Sequence, residues 1–162
     1  MTQNKPTPEI FEFEEDFAGS LRCITMSVRQ KLDFAGTKLS LEQWEKLSDE
    51  QREAIFQAPC AEEGESRKAY EALVRKAVKD SSGEEVKTLA DPALELWKNT
   101  DSIPDCVTAL AKKMAGREIT LAEWAGLAPL QRFALLKLSQ SRHESEHLNF
   151  RPAMKEFGLL SK

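Results

Sequence analysis

Residues 40–55 read SLEQWEKLSDEQREAI, and residues 120–135 read TLAEWAGLAPLQRFAL. Laid side by side without a gap, they share Leu41/Leu121, Trp44/Trp124, Leu47/Leu127, Gln51/Gln131, Arg52/Arg132 and Ala54/Ala134. Each opens on a hydroxyl residue, Ser40 or Thr120, with Gln43 or Glu123 three places on. At that spacing the N-cap and N3 side chains satisfy each other's backbone amides. Ser48 and Gln51 repeat the device in the first stretch, and Pro129 opens the corresponding helix in the second, where a missing N–H costs nothing. Each stretch is therefore predicted to form a short capped helix with a central Trp, followed at once by a second helix bearing Gln-Arg.

Upstream of the first stretch, Phe17, Leu21, Ile24, Val28 and Leu32 draw an apolar stripe that predicts one helix with Asp16 as its N-cap, ended by Gly36 as a left-handed cap. Upstream of the second, Val107, Leu110, Ala111 and Met114 predict a helix that Gly116 ends and Pro104 begins. Ile24 and Val28 have counterparts in Ile103 and Val107, at a shift of 79 instead of 80. Between the copies, Tyr70, Leu73, Val74 and Ala77 mark a further helix. KDSSGEEVKTLADP (79–92) breaks the pattern and is expected to be a mobile connection, with Pro92 opening the next helix.

These readings combine into an all-α fold: one helical domain over residues 10–160 behind a flexible tail, 1–9, built from an internally duplicated, pseudo-symmetric unit. The halves are placed at about 24–57 and 103–138, each expected to be too small to close a core without the other. Residues 40–57 carry five acids against two bases, whereas 120–138 carry Leu130, Phe133, Leu135, Leu136 and Leu138. The second copy is expected to be central and the first exposed.

Composition narrows function. A chain of 162 residues with net charge −4 and no basic block lacks the electrostatic footprint of a nucleic-acid binder. No apolar run is long enough for a membrane span or signal segment, so a cytoplasmic location is expected. Cys23, Cys60 and Cys106 are widely spaced and form no CxxC pair, which fits reduced thiols better than a disulfide frame or a zinc site.

Trp44 and Trp124 read as core, and Arg52 and Arg132 as structural residues that bond helix-end carbonyls or a carboxylate. A helix-turn-helix DNA reader is disfavoured, because its second helix would be acidic in one copy and apolar in the other. HESEH (143–147) matches the HExxH of zinc proteases and leaves open a metal-dependent hydrolase using His143, His147 and Glu144. A third ligand downstream is limited to Glu156, so no metal site is assigned. With no nucleophile elbow, GxGxxG or P-loop, no catalytic residue and no cofactor is assigned either. EIFEFEEDF (9–17) alternates Phe11 and Phe13 with acids, as an extended arm presenting both rings to one side would. It either packs on its own domain or offers aromatic anchors in an acidic rim to a basic partner. Phe11, Phe13, Glu14, Glu42, Glu45 and Glu50 are the candidate partner-binding residues.

The ordered blocks FEFEEDF, SLRCITMSVRQKLD, KLSLEQW, ITLAEWAGLAPLQRFALLKLS and FRPAMKEFGL resemble the nitrate reductase-associated protein family of cyanobacteria and proteobacteria. The resemblance spans roughly residues 11 to 160 and is weakest over 61 to 100. Thr25 stands where members often carry Pro. Members are small soluble proteins encoded near nitrate-assimilation genes. The resemblance thus implies a non-catalytic accessory protein whose partner is assimilatory nitrate reductase, and supplies no site residues. A small-ligand binding or sensing domain in nitrogen metabolism is the alternative.

Overall fold

The structure is a computed structural model that describes residues 9–89 and 94–161. The chain divides into two compact units, Met1–Pro92 and Ala93–Lys162. The described residues are mostly helical, with one two-stranded sheet among them.

In the first unit a 3-10 turn, Glu12–Glu14, leads into α1 (Glu15–Ala18), followed by α2 (Met26–Phe34), β1 (Thr37–Lys38), α3 (Leu41–Glu45), α4 (Asp49–Gln57), α5 (Glu65–Ser82) and β2 (Lys87–Thr88). The single helix predicted from Phe17 to Leu32 is in fact broken. Gly19 and Ser20 are poor helix formers, and Leu21 turns the chain with φ 63°, in the left-handed region. Thr25, extended at ψ 162°, restarts the helix by accepting from the Val28 amide at 3.2 Å. The N-cap is therefore Thr25, while Asp16 lies inside α1. Gly36 ends α2 at φ 65°, in the left-handed region that side chains with a Cβ rarely adopt.

Both predicted capping boxes of this unit are present: Ser40 with Gln43 and Ser48 with Gln51 exchange side chain-to-backbone bonds at 2.8–3.1 Å. The stretch expected to be a mobile connection is largely ordered. Its first residues continue α5 to a left-handed cap at Gly83. Lys87 and Thr88 pair antiparallel with Lys38 and Thr37, braced by Arg75 donating to the Val86 carbonyl at 3.0 Å. Its last residues, Ala90 to Pro92, and nearly all of the 1–9 tail lie outside the described residues.

This unit has a buried core cluster of its own, which draws on residues beyond 24–57. Val28, Leu32, Trp44, Leu47, Ile55 and Phe56 share one buried cluster with Leu21 and with Tyr70, Val74, Ala77 and Val78 of α5. The α5 residues and Leu21 lie outside the repeat and supply the apolar surface it lacks.

The second unit runs α6 (Leu94–Lys98), α7 (Asp105–Ala115), α8 (Leu121–Gly126), α9 (Pro129–Gln140), α10 (Glu144–Leu148) and α11 (Phe150–Glu156). Pro104 is the N-cap of α7 and Gly116 its left-handed C-cap, at φ 70°. Thr120 and Glu123 form the predicted capping box, and Pro129 stands at the start of α9. Ala128 has no hydroxyl, so there only Gln131 reaches back, accepting from the Ala128 amide at 2.9 Å. Phe133, Ala134, Leu135, Leu136 and Leu138 are buried along α9, whereas α4 buries only Ile55 and Phe56. Of the two similar stretches, the second is thus the more enclosed.

Candidate functional site

The two tryptophans are structural. Trp44 and Trp124 are fully buried, and each indole donates to a carbonyl in the loop ahead of the preceding helix, Leu21 at 2.8 Å and Asn99 at 3.0 Å. The two arginines tie segments together through backbone carbonyls. Arg52 donates from Nε to Trp44 at 3.2 Å and from Nη2 to Glu45 at 2.8 Å, closing the end of α3 onto α4. Arg132, buried, reaches the Trp97 carbonyl at 2.7 Å and that of Leu127 at 2.6 Å, and its burial lowers its pKa. Carbonyl bonding of this kind is one of the two structural roles expected for these residues.

The candidate partner residues fall into two groups. Phe11 and Glu14 are buried, Phe13 is half-buried, and the two rings stack at 5.6 Å with planes 17° apart. The segment is not the extended arm expected from its alternation. Glu14 folds its carboxylate back onto the amides of Phe11 and Met26, both at 3.0 Å, and that winds residues 12–14 into a turn. In this position Phe11 and Glu14 are enclosed and Phe13 is their half-exposed edge.

Glu42, Glu45 and Glu50 are exposed, together with Asp49 and Glu53. The bases of this stretch do little to offset them. Lys46 pairs at 3.5 Å with Glu84, and Arg52 is committed to the two carbonyls with Asp49 3.7 Å away. Leu41, at the start of α3, is 49% exposed beside Glu42. The surface of α3 and α4 therefore carries a concentrated negative field with one apolar residue at its edge, suited to attracting a basic partner.

An open pocket of about 170 Å³ adjoins this surface, lined by Gly19, Ser20, Leu21, Asp49, Arg52 and Glu53. Its one guanidinium is already engaged and two carboxylates share the lining, so it does not favour a small anion such as an oxyacid.

A buried polar cluster in the same unit had no signal in the sequence. Lys31 is 4% exposed, and its Nζ donates to the carbonyls of Phe56 and Ala58, both at 2.7 Å, while lying 5.4 Å from the Tyr70 ring centre. Burial lowers its pKa to about 8, with Cys60 acting in the opposite sense. Burial also raises the Cys60 thiol to about 11, opposed by Lys31 and Arg67, and holds the Tyr70 phenol well above its ordinary value. A thiol held protonated is a poor nucleophile. The cluster thus reads as a cation fastening the C-terminal end of α4, where unpaired carbonyls favour positive charge. Gln30 precedes Lys31 and Asp33 follows two places on, and nothing in that local sequence marks the lysine as buried. Its burial was therefore not legible.

HESEH does not form the two-histidine helix face of a zinc protease. His143 is the N-cap of α10, and His147 points Nε2 at the Ser141 carbonyl, 2.7 Å away. Among the described residues, no group of three His, Cys, Asp or Glu side chains could hold a metal ion. All three cysteines are free, Cys60 buried and Cys23 and Cys106 half-buried. No helix among the described residues is long and apolar enough to cross a membrane.

No curated protein and no solved structure matches this chain. The family described as conserved nitrate reductase-associated protein matches residues 10–157, from Ile10 of the arm to Phe157 after α11. Spanning both units and nearly the whole chain, that match means that the protein belongs to the nitrate reductase-associated protein family.

Proposed function

We propose that this protein is a non-catalytic accessory factor of assimilatory nitrate reductase, acting in the cytoplasm by binding the reductase or its unassembled form and supporting maturation, cofactor insertion or activity. The family match over residues 10–157 carries the reading. The acidic surface of α3 and α4 supports its mode of action. Glu42, Glu45 and Glu50, with Leu41 as an apolar contact, form the proposed docking face for a basic patch of the reductase. Rim charges of this type act mainly on association rate and salt sensitivity.

Internal duplication belongs to the same proposal. Each unit has the order helix, left-handed glycine, capped Trp helix, Gln-Arg helix. At a shift of 79, Thr25 and Pro104 are both N-caps, Ile24 and Ile103 both precede them, and Val28 and Val107 are both fully buried. The duplication would leave the second copy to build an enclosed unit and the first to present charge.

The test is co-purification. Tagged protein incubated with extract of nitrate-grown cells should retain nitrate reductase at low ionic strength and release it as salt rises past about 0.15 M, where screening shortens to roughly 8 Å. Retention no greater than that of a tag-only control at low salt would overturn the reading.

A further inference from the structure

We infer that the open pocket between the loop after α1 and helix α4 seats an arginine side chain of the protein's partner, an inference that rests on the docking reading of α3 and α4 above. The pocket, of about 170 Å³, is lined by Gly19, Ser20 and Leu21 from the loop and by Asp49, Arg52 and Glu53 from α4. Both walls are tied to the buried Trp44. Its indole donates to the Leu21 carbonyl at 2.8 Å, and its own carbonyl accepts from Arg52 Nε at 3.2 Å. A cavity shaped in this way by the core of its unit lowers the ordering cost of binding.

The similar stretch of the second unit shows this side of the helix closed. Phe133 stands there at the place of Glu53, fully buried, with its ring edge-on to Trp97 of α6 at 5.9 Å. Arg132, at the place of Arg52, donates to the Trp97 carbonyl at 2.7 Å, and Trp97 is 3% exposed. An aromatic residue of the same unit thus covers that side of α9. In the first unit Asp49 and Glu53 are exposed at the pocket, and Phe17 in α1 remains 38% exposed. The change from Phe133 to Glu53 turns a site for an aromatic ring into a site for a cation.

Charge and shape then select the occupant. Arg52 commits Nε and Nη2 to the carbonyls of Trp44 and Glu45, so two carboxylates share the pocket with one engaged guanidinium. Asp49, 3.7 Å from Arg52 Nη1, keeps its whole side chain in solvent. Glu53 accepts from the Gln57 amide through Oε2 at 2.8 Å, which leaves Oε1 for a ligand. The two carboxylates are one helical turn apart, a span that the forked donors of a guanidinium bridge and the single point of an ammonium does not. Leu21 supplies an apolar wall for the methylene stem.

The experiment is an NMR titration of the full-length protein with acetyl-arginine amide, followed at the backbone amides of Gly19, Ser20, Asp49 and Glu53. These should shift together and saturate, while those of Glu62 and Glu63, exposed acids that do not line the pocket, should stay in place. Glu53→Gln should weaken binding about three- to fivefold, and acetyl-citrulline amide, which keeps the shape without the charge, should shift none of them. Equal shifts at Glu62 and Glu63 would show unselective attraction to acidic surface and overturn the inference. Unchanged affinity in Glu53→Gln, or equal binding of the citrulline compound, would overturn it as well. Asp49→Asn, on a fully exposed side chain, gives the same reading should Glu53→Gln fail to fold. The probe contains no part of the reductase. Saturable binding of it without retention of reductase would therefore uphold the pocket and remove the partner proposed above, and retention of reductase without binding of the probe would do the reverse.

Discussion

The ammonium of Lys31 donates to the carbonyl of Phe56 at 2.7 Å, joining residues 25 apart and pinning the last turn of α4 to α2. Burial holds this amine at about 8, below its ordinary 10.5. Between those values the unfolded chain binds more protons than the folded one, so the cost of the buried charge is full below pH 8 and is relieved as pH rises towards 10.5. Cys60, raised from 9.0 to about 11, works the other way from pH 9 upwards, and Tyr70 joins it above 10. From pH 8 to 9 the lysine acts nearly alone. Urea unfolding should show a gain of about 1 kcal/mol over that interval, absent in Lys31→Met. An equal gain in the variant would mean that the titrating group lies elsewhere.

Trp124 and its bond to Asn99 separate into two effects. Trp124→Ala should cost about 3 to 5 kcal/mol, a large share of a domain stability of about 5 to 15 kcal/mol. Trp124→Phe keeps the ring and loses the indole donor, leaving the Asn99 carbonyl bare for about 1 to 2 kcal/mol. Denaturation midpoints of the two variants that coincide would contradict this division.

Arg52 and Arg132 occupy equivalent sequence positions but unequal surroundings. Arg132 is buried and bridges α6 to the start of α9, so Arg132→Lys, which cannot fork to two carbonyls, should cost about 2 to 3 kcal/mol. The Arg52 side chain is partly solvated, and Arg52→Lys should cost under about 1.5 kcal/mol. Thermal melts in which Arg52→Lys is the more destabilised would reverse the assignment of the enclosed copy.

Metal analysis of the purified protein should find less than stoichiometric zinc, and His143→Ala with His147→Ala should leave co-purification with the reductase unchanged. One tightly held zinc per chain, lost in the double variant, would bring back the hydrolase reading that the Ser141 contact of His147 argues against.

Much of the fold was legible because local chemistry decided it. Ser40, Ser48 and Thr120 announce helix starts, and Gly36 and Gly116 stop helices by adopting a backbone that other residues resist. What escaped was decided by contacts distant in sequence. The stripe from Phe17 to Leu32 has helical spacing, yet Glu14 reaches twelve residues on to Met26 and Trp44 reaches back to Leu21, and these bonds favour the break. The same contact made the alternation of EIFEFEEDF misleading, because Glu14 is held by amides and not by water. Nothing in the sequence marks Lys31 as buried, and only the fold brings the carbonyls of Phe56 and Ala58 to it. Within the candidate surface, the exposure of Glu42, Glu45 and Glu50 followed from their charge, while the burial of Phe11 and Glu14 did not.

The most direct test of the accessory role is nitrate reductase activity in extracts of nitrate-grown cells from which this protein has been deleted. The account predicts a clear loss of activity, restored by the wild-type gene and only partly by Glu42→Lys, Glu45→Lys, Glu50→Lys, with growth on ammonium unaffected. Reductase activity equal to the parent strain's would contradict it.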